Sequence, residues 1–418
     1  MCREMKICGI KWFGKIPGEW KIVKVKQLFN IGRGRVIPQT ELDDNAIYPV
    51  YSSQTKNNGC LGYINTYDFD KKQLTWTTDG ANAGTVFLRT GKYNCTNVCG
   101  TLLPKNEENN LEYLKYILEY TAIFHKRADT NGFKIMNNEM AEISILLPNK
   151  VEQDKIAAYL NRKVSQIDDI ISKQKILIEK YKAYKQSLIT ETVTKGLNKN
   201  VHMKDSGIEW IGKIPNHWKL INLKLCTDKI GSGKTPLGGS EVYSSNGVMF
   251  LRSQNIYNEG IVVNDVVFIS EEIDEAMKST RVYENDILLN ITGASIGRTA
   301  IYKYKWHANV NQHVCIIRCN SLILCEFMHY ILISDIGKIE TLRCQTGGNR
   351  EGLTFEQIGN FRIPVLLVEE QQRIVDFLNK KCNVIDYSIS KKEQLIEKLE
   401  SYKKSLIYEC VTGKREGN

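Results

Sequence analysis

VEQDKIAAYLNRKVSQIDDIISKQKILIEKYKAYKQSLITETVT, residues 151–194, returns later in the chain as EEQQRIVDFLNKKCNVIDYSISKKEQLIEKLESYKKSLIYECVT, residues 369–412. The two segments are identical at 23 of 44 positions. Neither contains proline or glycine, and apolar residues recur every three or four positions in both, which predicts two long amphipathic helices. Gly196 and Gly413 follow the segments and are expected to end the helices.

Apolar residues at alternating spacings of three and four predict a coiled-coil seam on each helix. The predicted seam comprises Ile167, Ile170, Leu177, Tyr181, Tyr184 and Leu188 in the first helix and Ile385, Leu395, Leu399, Tyr402 and Leu406 in the second. Ile171 and Ile178, repeated as Ile389 and Ile396, widen the apolar stripe. The helices could pair with each other or each with an outside protein. We expect them to pair with each other, because that buries both seams at once.

A second repeat lies near the start of each half of the chain. GIKWFGKIPGEWK at residues 9–21 returns as GIEWIGKIPNHWK at residues 207–219, with nine of thirteen positions identical. The chain is therefore two copies of one plan, each with a short aromatic motif, a body and a long helix. The ends are retained and the bodies have diverged. This favours a shared mechanical role for the ends and different specificities for the bodies, although faster drift of loops would give a similar pattern.

The bodies read as mixed, strand-rich domains. Residues 46–62 and 262–270 are rich in β-branched and aromatic residues and contain turn signals, whereas residues 111–126 have a helical pattern. Pro148 and Pro364 lie just before the long helices. The sequence thus predicts an α+β protein. Its predicted domains are a first body at residues 1–150, a central helix at 151–198, a second body at 199–368 and a C-terminal helix and tail at 369–418.

Composition and charge exclude several classes of protein. A hydrophobic fraction of 42% over 418 residues excludes a disordered chain, and no apolar run reaches the length of a membrane span. We found no secretory signal and expect a soluble, cytoplasmic protein. The formal net charge is +10, but residues 201–368 carry 17 basic and 17 acidic groups. Nucleic-acid binding there would require basic groups segregated onto one face.

Motifs for bond-making chemistry are missing from the sequence. GSGKT at residues 231–235 lacks the first glycine of a phosphate-binding loop, and GRGR at residues 32–35 lacks the third glycine of a dinucleotide fingerprint. There is no H-E-x-x-H, no G-x-S-x-G, no zinc-type cysteine spacing and no Pro-Pro, which an amino-methyltransferase motif would need. We therefore expect no catalytic residues, no metal site and no cofactor in this chain.

Polar clusters in the bodies suit contacts with DNA. Arg, Asn and Gln can pair with base edges, and Lys, Ser and Thr suit phosphates, although turns favour the same residue types. The candidates are Arg33, Arg35, Ser53, Gln54, Lys56, Asn57, Arg127, Asn131 and Lys134 in the first body and Ser232, Lys234, Thr235, Arg252, Gln254, Asn255, Asn311, Gln312, Gln345, Thr346, Asn349 and Arg350 in the second.

Four phrases together resemble one family, the specificity subunits of type I restriction–modification systems. They are the motif W-I/F-G-K-I-P-x-x-W, YPVYSSQTKNNG at residues 48–59, TGASIGRTAI at residues 292–301, and E-Q-x-x-I-x-x-x-L-N at the start of each long helix. Each phrase alone would be weak, but the resemblance covers essentially the whole chain. It implies that the bodies are target-recognition domains, each reading one half of a split DNA sequence.

The resemblance also implies partners and an architecture. The two helices would pair as an antiparallel coiled coil with internal pseudo-twofold symmetry, which suits the twofold symmetry of DNA. They would hold apart the half-sites and dock modification subunits, two of them by our expectation, which carry S-adenosylmethionine and methylate adenine. A restriction subunit, with ATP and Mg, would join them. The chain itself would be non-catalytic.

Two alternatives come from other classes of protein. An enzyme with its own nuclease or methyltransferase activity is disfavoured by the missing motifs. A coiled-coil adaptor that binds only proteins, without DNA specificity, would share the helices but would not bind DNA in a salt-dependent manner.

Overall fold

The structure, a computed structural model, describes residues 3–130, 132–345 and 352–416. It divides the chain into two compact units: unit 1 comprises Met1–Gln174 and Glu393–Asn418, and unit 2 comprises Lys175–Lys392. Each unit contains one body and a segment of each long helix. The predicted α+β class is confirmed, because both bodies combine sheets with helices.

Unit 1 has fifteen strands among its described residues. They are β1 (Met5–Ile7), β2 (Lys15–Pro17), β3 (Lys21–Lys24), β4 (Phe29–Arg33), β5 (Tyr48–Tyr51), β6 (Cys60–Ile64), β7 (Phe69–Asp70), β8 (Gln73–Thr77), β9 (Asp79–Gly80), β10 (Val86–Arg89), β11 (Lys92–Cys95), β12 (Cys99–Pro104), β13 (Arg127–Asp129), β14 (Gly132–Lys134) and β15 (Ser144–Leu147). Its helices are α1 (Val25–Leu28), α2 (Leu111–Ala122), α3 (Asn137–Glu142) and the first part of α4 (Lys150–Lys195).

Unit 2 has a similar inventory. Its strands are β16 (Met203–Asp205), β17 (Lys213–Pro215), β18 (Lys219–Asn222), β19 (Thr227–Ser232), β20 (Val248–Leu251), β21 (Ile256–Tyr257), β22 (Gly260–Ile261), β23 (Val267–Ile269), β24 (Arg281–Val282), β25 (Ile287–Asn290), β26 (Thr299–Ile301), β27 (Ala308–Val310), β28 (Val314–Cys319) and β29 (Arg362–Val365). Its helices are α5 (Glu271–Ala276), α6 (Cys325–Ile333), α7 (Asp335–Gln345), α8 (Phe355–Gly359) and the first part of α9 (Val368–Val411). No helix among the described residues is long and apolar enough to cross a membrane.

The two bodies are built on the same pair of sheets. In unit 1, β10-β8-β12-β4 form an antiparallel sheet, and β6-β5-β11-β7 form a second sheet in which β5 and β11 are parallel. Unit 2 repeats this plan as β26-β25-β28-β19 and β23-β20-β27-β24, with β20 and β27 parallel. The bodies have therefore kept their topology although their sequences have diverged.

The long helices are each uninterrupted. Helix α4 has 46 residues and α9 has 44 residues, close to the predicted segments. At a rise of about 1.5 Å per residue, each is roughly 65–70 Å long. Gly196 and Gly413 have φ values of 72° and 70°, the left-handed conformation typical of the residue after a helix.

Within each unit the two helix segments run antiparallel. In unit 1, Asp168 of α4 pairs with Lys403 of α9, and the earlier Tyr159 lies 5.8 Å from the later Arg415. In unit 2, Tyr181 lies 5.7 Å from the ammonium group of Lys392, and Lys185 further along α4 pairs with the earlier Asp386. The predicted antiparallel pairing is therefore confirmed.

The buried stripe differs from the predicted seam at every second position. Of the predicted residues, Ile167, Ile385 and Leu406 are buried, Tyr181, Leu188 and Leu399 are half-buried, and Ile170, Leu177, Tyr184, Leu395 and Tyr402 are exposed. At these positions the buried side chain is that of the next residue: Ile178 is 6% exposed, whereas Leu177 is 37% exposed. Spacing alone could not choose, because the sequence offers two adjacent apolar stripes and a helix of 3.6 residues per turn can bury only the middle of a wide one.

The repeated aromatic motif joins the two helices within each unit. In unit 1, Trp20 Nε1 donates a hydrogen bond to Glu152 at the start of α4 (2.9 Å), and its ring lies against Gly413 at the end of α9. In unit 2, Trp218 Nε1 donates to Glu370 at the start of α9 (3.2 Å), and its ring lies against Gly196. This shared fastening explains why the ends of the two copies remain similar.

Candidate nucleic-acid interface

Three loops at the ends of the central strands meet in each body. In unit 1 the first loop comprises residues 32–35, which begin with the last two residues of β4, the second comprises residues 52–59 and the third comprises residues 96–98. In unit 2 the corresponding loops are residues 231–235, which begin with the last two residues of β19, residues 252–255 and residues 311–313. The predicted candidates fall largely on these loops.

The first and third loops are fastened in the same way in both units. Arg35 N donates to Cys95 O (3.1 Å) in unit 1, and Lys234 N donates to Val310 O (3.2 Å) in unit 2. A Cβ atom on Gly34 would lie 2.1 Å from Cys95 O. Glycine is therefore required where the first loop crosses the strand, and Gly233 occupies the same place in unit 2. The glycines of GRGR and GSGKT serve this close approach.

The third loop also holds the second loop. Thr96 N donates to Tyr51 O (2.8 Å) in unit 1, and Asn311 N donates to Leu251 O (3.1 Å) in unit 2. Side chains add unit-specific contacts: Thr96 Oγ1 bonds Ser52 Oγ at 3.1 Å, whereas in unit 2 the third loop bonds the first through Gln312. Each body therefore presents three neighbouring loops on the same backbone frame with different side chains.

The candidate residues differ in exposure. Exposed are Arg33, Arg35, Lys56, Asn57, Arg127, Lys234, Thr235, Gln254 and Gln312; half-buried are Ser53, Gln54, Lys134, Ser232, Arg252, Asn311 and Gln345; and Asn255 is fully buried. Asn131, Thr346, Asn349 and Arg350 lie outside the described residues. Asn255 donates to Asp265 Oδ1 (2.9 Å) and to Val262 O, so its amide supports the loop from within.

Acidic side chains neutralise several of the basic candidates in unit 1. Arg35 pairs with Asp68 (3.0 Å), while Arg33 and Lys134 approach Asp79 (3.8 and 3.9 Å). These pairs are partly exposed, so each contributes little to stability and can exchange for a phosphate at low cost. The first loop and β14 thus converge on Asp79, a grouping that the sequence did not reveal.

Besides Lys134 on β14, two described candidates lie on elements other than the three loops. Arg127 is on β13 and pairs with Glu139 (2.7 Å), and β13 is linked to the body through β14 and β9. Gln345 is the last residue of α7. The structure therefore places these two side chains on separate elements from the loops.

Sequence reasoning missed two charged residues that hold the second loops. Arg89 in unit 1 donates from Nη1 to Asn58 O (2.8 Å). Asp265 in unit 2 accepts from the side chains of Gln254 (2.5 Å) and Asn255. Burial lowers the pKa of Arg89, and burial raises the pKa of the neighbouring Tyr51. Neither Arg89 nor Asp265 belongs to a motif, so no sequence signal could have found them.

No cluster of three or more histidine, cysteine or acidic side chains that could hold a metal ion occurs among the described residues. What the two sheet-based bodies share is a set of polar, partly basic loops. Such loops can form hydrogen bonds and charge contacts with a nucleic acid.

The family model for the type I restriction modification DNA specificity domain matches residues 17–180 and 215–401, most of both halves. The chain belongs to this family. Members are non-catalytic specificity subunits of type I restriction–modification systems, so the chain is one of these subunits. The predicted family, DNA specificity and non-catalytic role are confirmed on this ground.

Individual relatives agree with the family. The chain is 42% identical over 142 residues to a putative type I specificity subunit N-terminus from Mycoplasma pneumoniae, a match that covers 34% of this chain and 76% of that protein. It is 28% identical over 421 residues to the MjaVIII specificity subunit from Methanocaldococcus jannaschii, covering 96% and 94%. A solved structure on complex assembly and conformational transition of the type I R-M system contains a chain of the same fold. Its TM-score is 0.72 and its identity 14%, over 96% of this chain and 99% of that one.

Proposed function

We infer that this specificity subunit reads a split DNA sequence, with one body for each half-site. The observation that carries this proposal is the paired set of three loops, held by equivalent backbone hydrogen bonds in the two units. The backbone frames of the loops match between the two units and their side chains differ, as expected of two DNA-binding bodies with one binding mode and two specificities. The proposed readers are the bodies at residues 1–150 and 199–368, and the helical parts are residues 151–198 and 369–418.

The proposed contacts divide by chemistry. Arg33, Arg35 and Gln54 in unit 1, with Gln254 and Gln312 in unit 2, suit the edges of guanine and adenine. Lys56, Lys234 and Thr235 are exposed and suit phosphates. Asn255 is buried and supports its loop in this proposal. Asn131, Thr346, Asn349 and Arg350 remain candidates from the sequence alone.

The long helices have two proposed roles. Their length sets the number of base pairs between the half-sites, and their exposed apolar residues dock the other subunits. Ile170, Leu395 and Tyr402 in unit 1, with Leu177 and Tyr184 in unit 2, are each at least 37% exposed. Large apolar side chains exposed along a helix are typical of protein–protein contacts. The partners that we propose are two modification subunits and one restriction subunit, on cytoplasmic DNA, with S-adenosylmethionine, ATP and Mg bound by those subunits.

Selection from a random DNA library tests the proposal. The full chain, alone and with modification subunits, is incubated with duplexes carrying a randomised stretch of about 25 base pairs, and bound DNA is sequenced. We expect a split motif of two fixed blocks, and binding that weakens steeply with salt. Replacing Arg33 and Arg35 by alanine should degrade one block only, and replacing Lys234 and Gln254 should degrade the other. Enrichment of no motif, or of one continuous block, would contradict the proposal.

A further inference from the structure

Arg89 is a buried charge that the fold of unit 1 does not need. It ends β10, is 2% exposed, and has a pKa lowered by burial. Among the described residues it forms no ion pair with a carboxylate, and its Nη2 is buried without a hydrogen-bond acceptor. Burying an arginine in this way is unfavourable. Some other property of the site must account for it.

The corresponding position in unit 2 carries no charge. Gly84 N donates to Thr77 O at the start of the β10–β8 pair, and Gly297 N donates to Asn290 O at the start of the β26–β25 pair. Counting from these equivalent residues, Arg89 corresponds to Tyr302, which is buried. The two sheets have the same strand order. A neutral tyrosine, whose hydroxyl donates to Trp306 O, therefore satisfies this edge of the sheet, and the guanidinium is not a requirement of the topology.

The contacts of Arg89 lead to the second loop. Its Nε donates to Thr75 Oγ1 on β8 (3.2 Å), which fixes one side of the guanidinium to the sheet. The guanidinium carbon lies 3.5 Å from the ring centroid of Tyr51, the residue just before the loop. Its Nη1 donates to Asn58 O at 2.8 Å. Arg89 thus connects the rigid sheet to the backbone of the loop.

The second loop of unit 1 has a backbone that needs such support. Asn57, Asn58 and Gly59 have φ values of 49°, 53° and 80°, three consecutive residues in the left-handed region. Left-handed backbone costs roughly 1 kcal/mol or more for each non-glycine residue and persists where neighbours hold it. A Cβ atom on Gly59 would lie 2.9 Å from Arg89 Nη2, so the loop and the guanidinium are closely fitted.

We propose that Arg89 is a positioning residue that fixes the second loop of unit 1 in the conformation that reads the first half-site. The proposal rests on the proposed function, because it assumes that this loop meets DNA. Arg89 itself is buried and acts through Asn58 rather than by touching a base. It presents Gln54, Lys56 and Asn57 in one fixed arrangement, which lowers the entropy lost on binding.

Unit 2 holds its second loop with the opposite charge. Asp265 is more than half exposed and accepts hydrogen bonds from Gln254 and Asn255, and its carbonyl accepts from Arg252. The two units therefore share the frame of the loop and differ in the residue that sets its shape. Arg89 should consequently influence the first half-site and leave the second unchanged.

Three variants of the full chain test the role of Arg89. Arg89→Met keeps the length of the side chain but removes both the charge and the hydrogen bond to Asn58. Arg89→Lys keeps the charge but cannot bond Thr75 and Asn58 together in the arginine geometry. Val86→Ala is the matched control, because Val86 is buried on the same strand at the end remote from Arg89. Hydrogen exchange by mass spectrometry reports on residues 52–59, and library selection reports on each half-site.

For Arg89→Met we expect amide exchange in residues 52–59 to accelerate about tenfold or more. Affinity for the selected duplex should fall about tenfold or more, with the sequence preference relaxed in the first block alone. Arg89→Lys should be intermediate in both measurements. Val86→Ala should lower the unfolding temperature without changing loop exchange or either block.

Two outcomes would overturn the inference while leaving the proposed function intact. One is a wild-type chain that selects a split motif and an Arg89→Met chain that selects the same motif with unchanged affinity. The other is a sign of general destabilisation: either Arg89→Met loses the sequence preference in both blocks, or Val86→Ala loses the preference in the first block as much as Arg89→Met does. A wild-type chain that selects no motif contradicts the proposed function instead, and the exchange of residues 52–59 then still tests whether Arg89 holds the loop.

Discussion

Lys403 Nζ donates hydrogen bonds to both carboxylate oxygens of Asp168, at 2.6 and 2.9 Å. The duplicated positions form the same pair with the helices exchanged: Lys185 of α4 bonds both oxygens of Asp386 of α9, at 2.8 and 2.7 Å. Each pair lies inside one unit. A single pairing register therefore serves both units, although partly exposed pairs like these contribute little to stability.

The register makes a sharp prediction about the helix seam. Ile178 and Ile396 are buried, with 6% and 9% of their surface exposed. Replacing both by aspartate places a carboxylate at each position in surroundings that the wild-type chain fills with an apolar side chain. We expect each substitution to cost about 3 kcal/mol or more in the free energy of unfolding, measured by urea titration. Methylation of the split site in the assembled complex should fall in parallel.

The preceding residues supply the matched control for the seam. Leu177→Asp combined with Leu395→Asp introduces the same two carboxylates at positions that are 37% and 40% exposed. Their cost should be within about 1 kcal/mol. Equal decreases in the free energy of unfolding in the two double variants would mean that the stripe through Ile178 and Ile396 is not the seam.

The contrast between these pairs shows what the sequence could predict. Absence of proline and glycine defined the helices, and Gly196 and Gly413 defined their ends, because these are local properties of the chain. The choice between Leu177 and Ile178 depends on how the second helix approaches, which no local pattern records. Arg89 and Asp265 were missed for a similar reason: Arg89 lies 31 residues from Asn58, Asp265 lies 10 and 11 residues from Asn255 and Gln254, and each meets its loop only after the sheets form.

The glycines that end the long helices should differ in their tolerance of alanine. Gly413→Ala would place a Cβ atom 2.3 Å from Pro17 Cγ, whereas Gly196→Ala would place one 3.1 Å from the Trp218 ring. Both residues have positive φ values, which alone costs alanine about 1 kcal/mol. We expect Gly413→Ala to lose roughly 2–4 kcal/mol in unfolding experiments and Gly196→Ala less.

Gly9→Ala isolates the backbone contribution. Gly9 has a φ value of 75°, and no heavy atom of another part of the chain would lie within 4 Å of a Cβ atom added there. The Gly9→Ala substitution should therefore lower the free energy of unfolding by about 1 kcal/mol. If Gly413→Ala cost no more than Gly9→Ala, then the aromatic motif would not be packed tightly against the end of α9.

His329 should make unit 2 sensitive to mild acid. Burial lowers its pKa to about 4, while an unfolded histidine has a pKa of about 6.5. Above pH 6.5 both states are neutral and the residue contributes nothing to pH dependence. As the pH falls from about 6.5 to 4, only the unfolded state gains the proton, so stability falls by up to roughly 3 kcal/mol. Urea titrations at several pH values measure this slope.

His329→Gln should remove that part of the slope, because glutamine does not titrate. His202→Gln is the control, since His202 is exposed. Urea midpoints of the wild type and the His329→Gln variant should diverge below pH 6.5, and those of the His202→Gln variant should follow the wild type. A wild-type slope that survives in His329→Gln would assign the acid sensitivity to other groups.

The length of the helices should set the spacing of the DNA half-sites. Inserting four residues after Leu188 lengthens α4 by about 6 Å, which is under two base pairs at about 3.4 Å each. Leu188 before the insertion packs against the same apolar core of unit 2 as Ile189 and Val193 after it, and we expect the body to follow the two buried residues after the insertion. We expect methylome sequencing to show both half-sites unchanged and one or two more base pairs between them.

A four-residue insertion after Glu107 is the control, because residues 105–108 form an exposed bend that belongs to neither long helix. It lengthens the chain equally but should alter neither the half-sites nor their spacing. Altered half-sites in the α4 variant would show that the insertion changes the readers themselves. Unchanged spacing with full activity would show that the separation is set by something other than helix length.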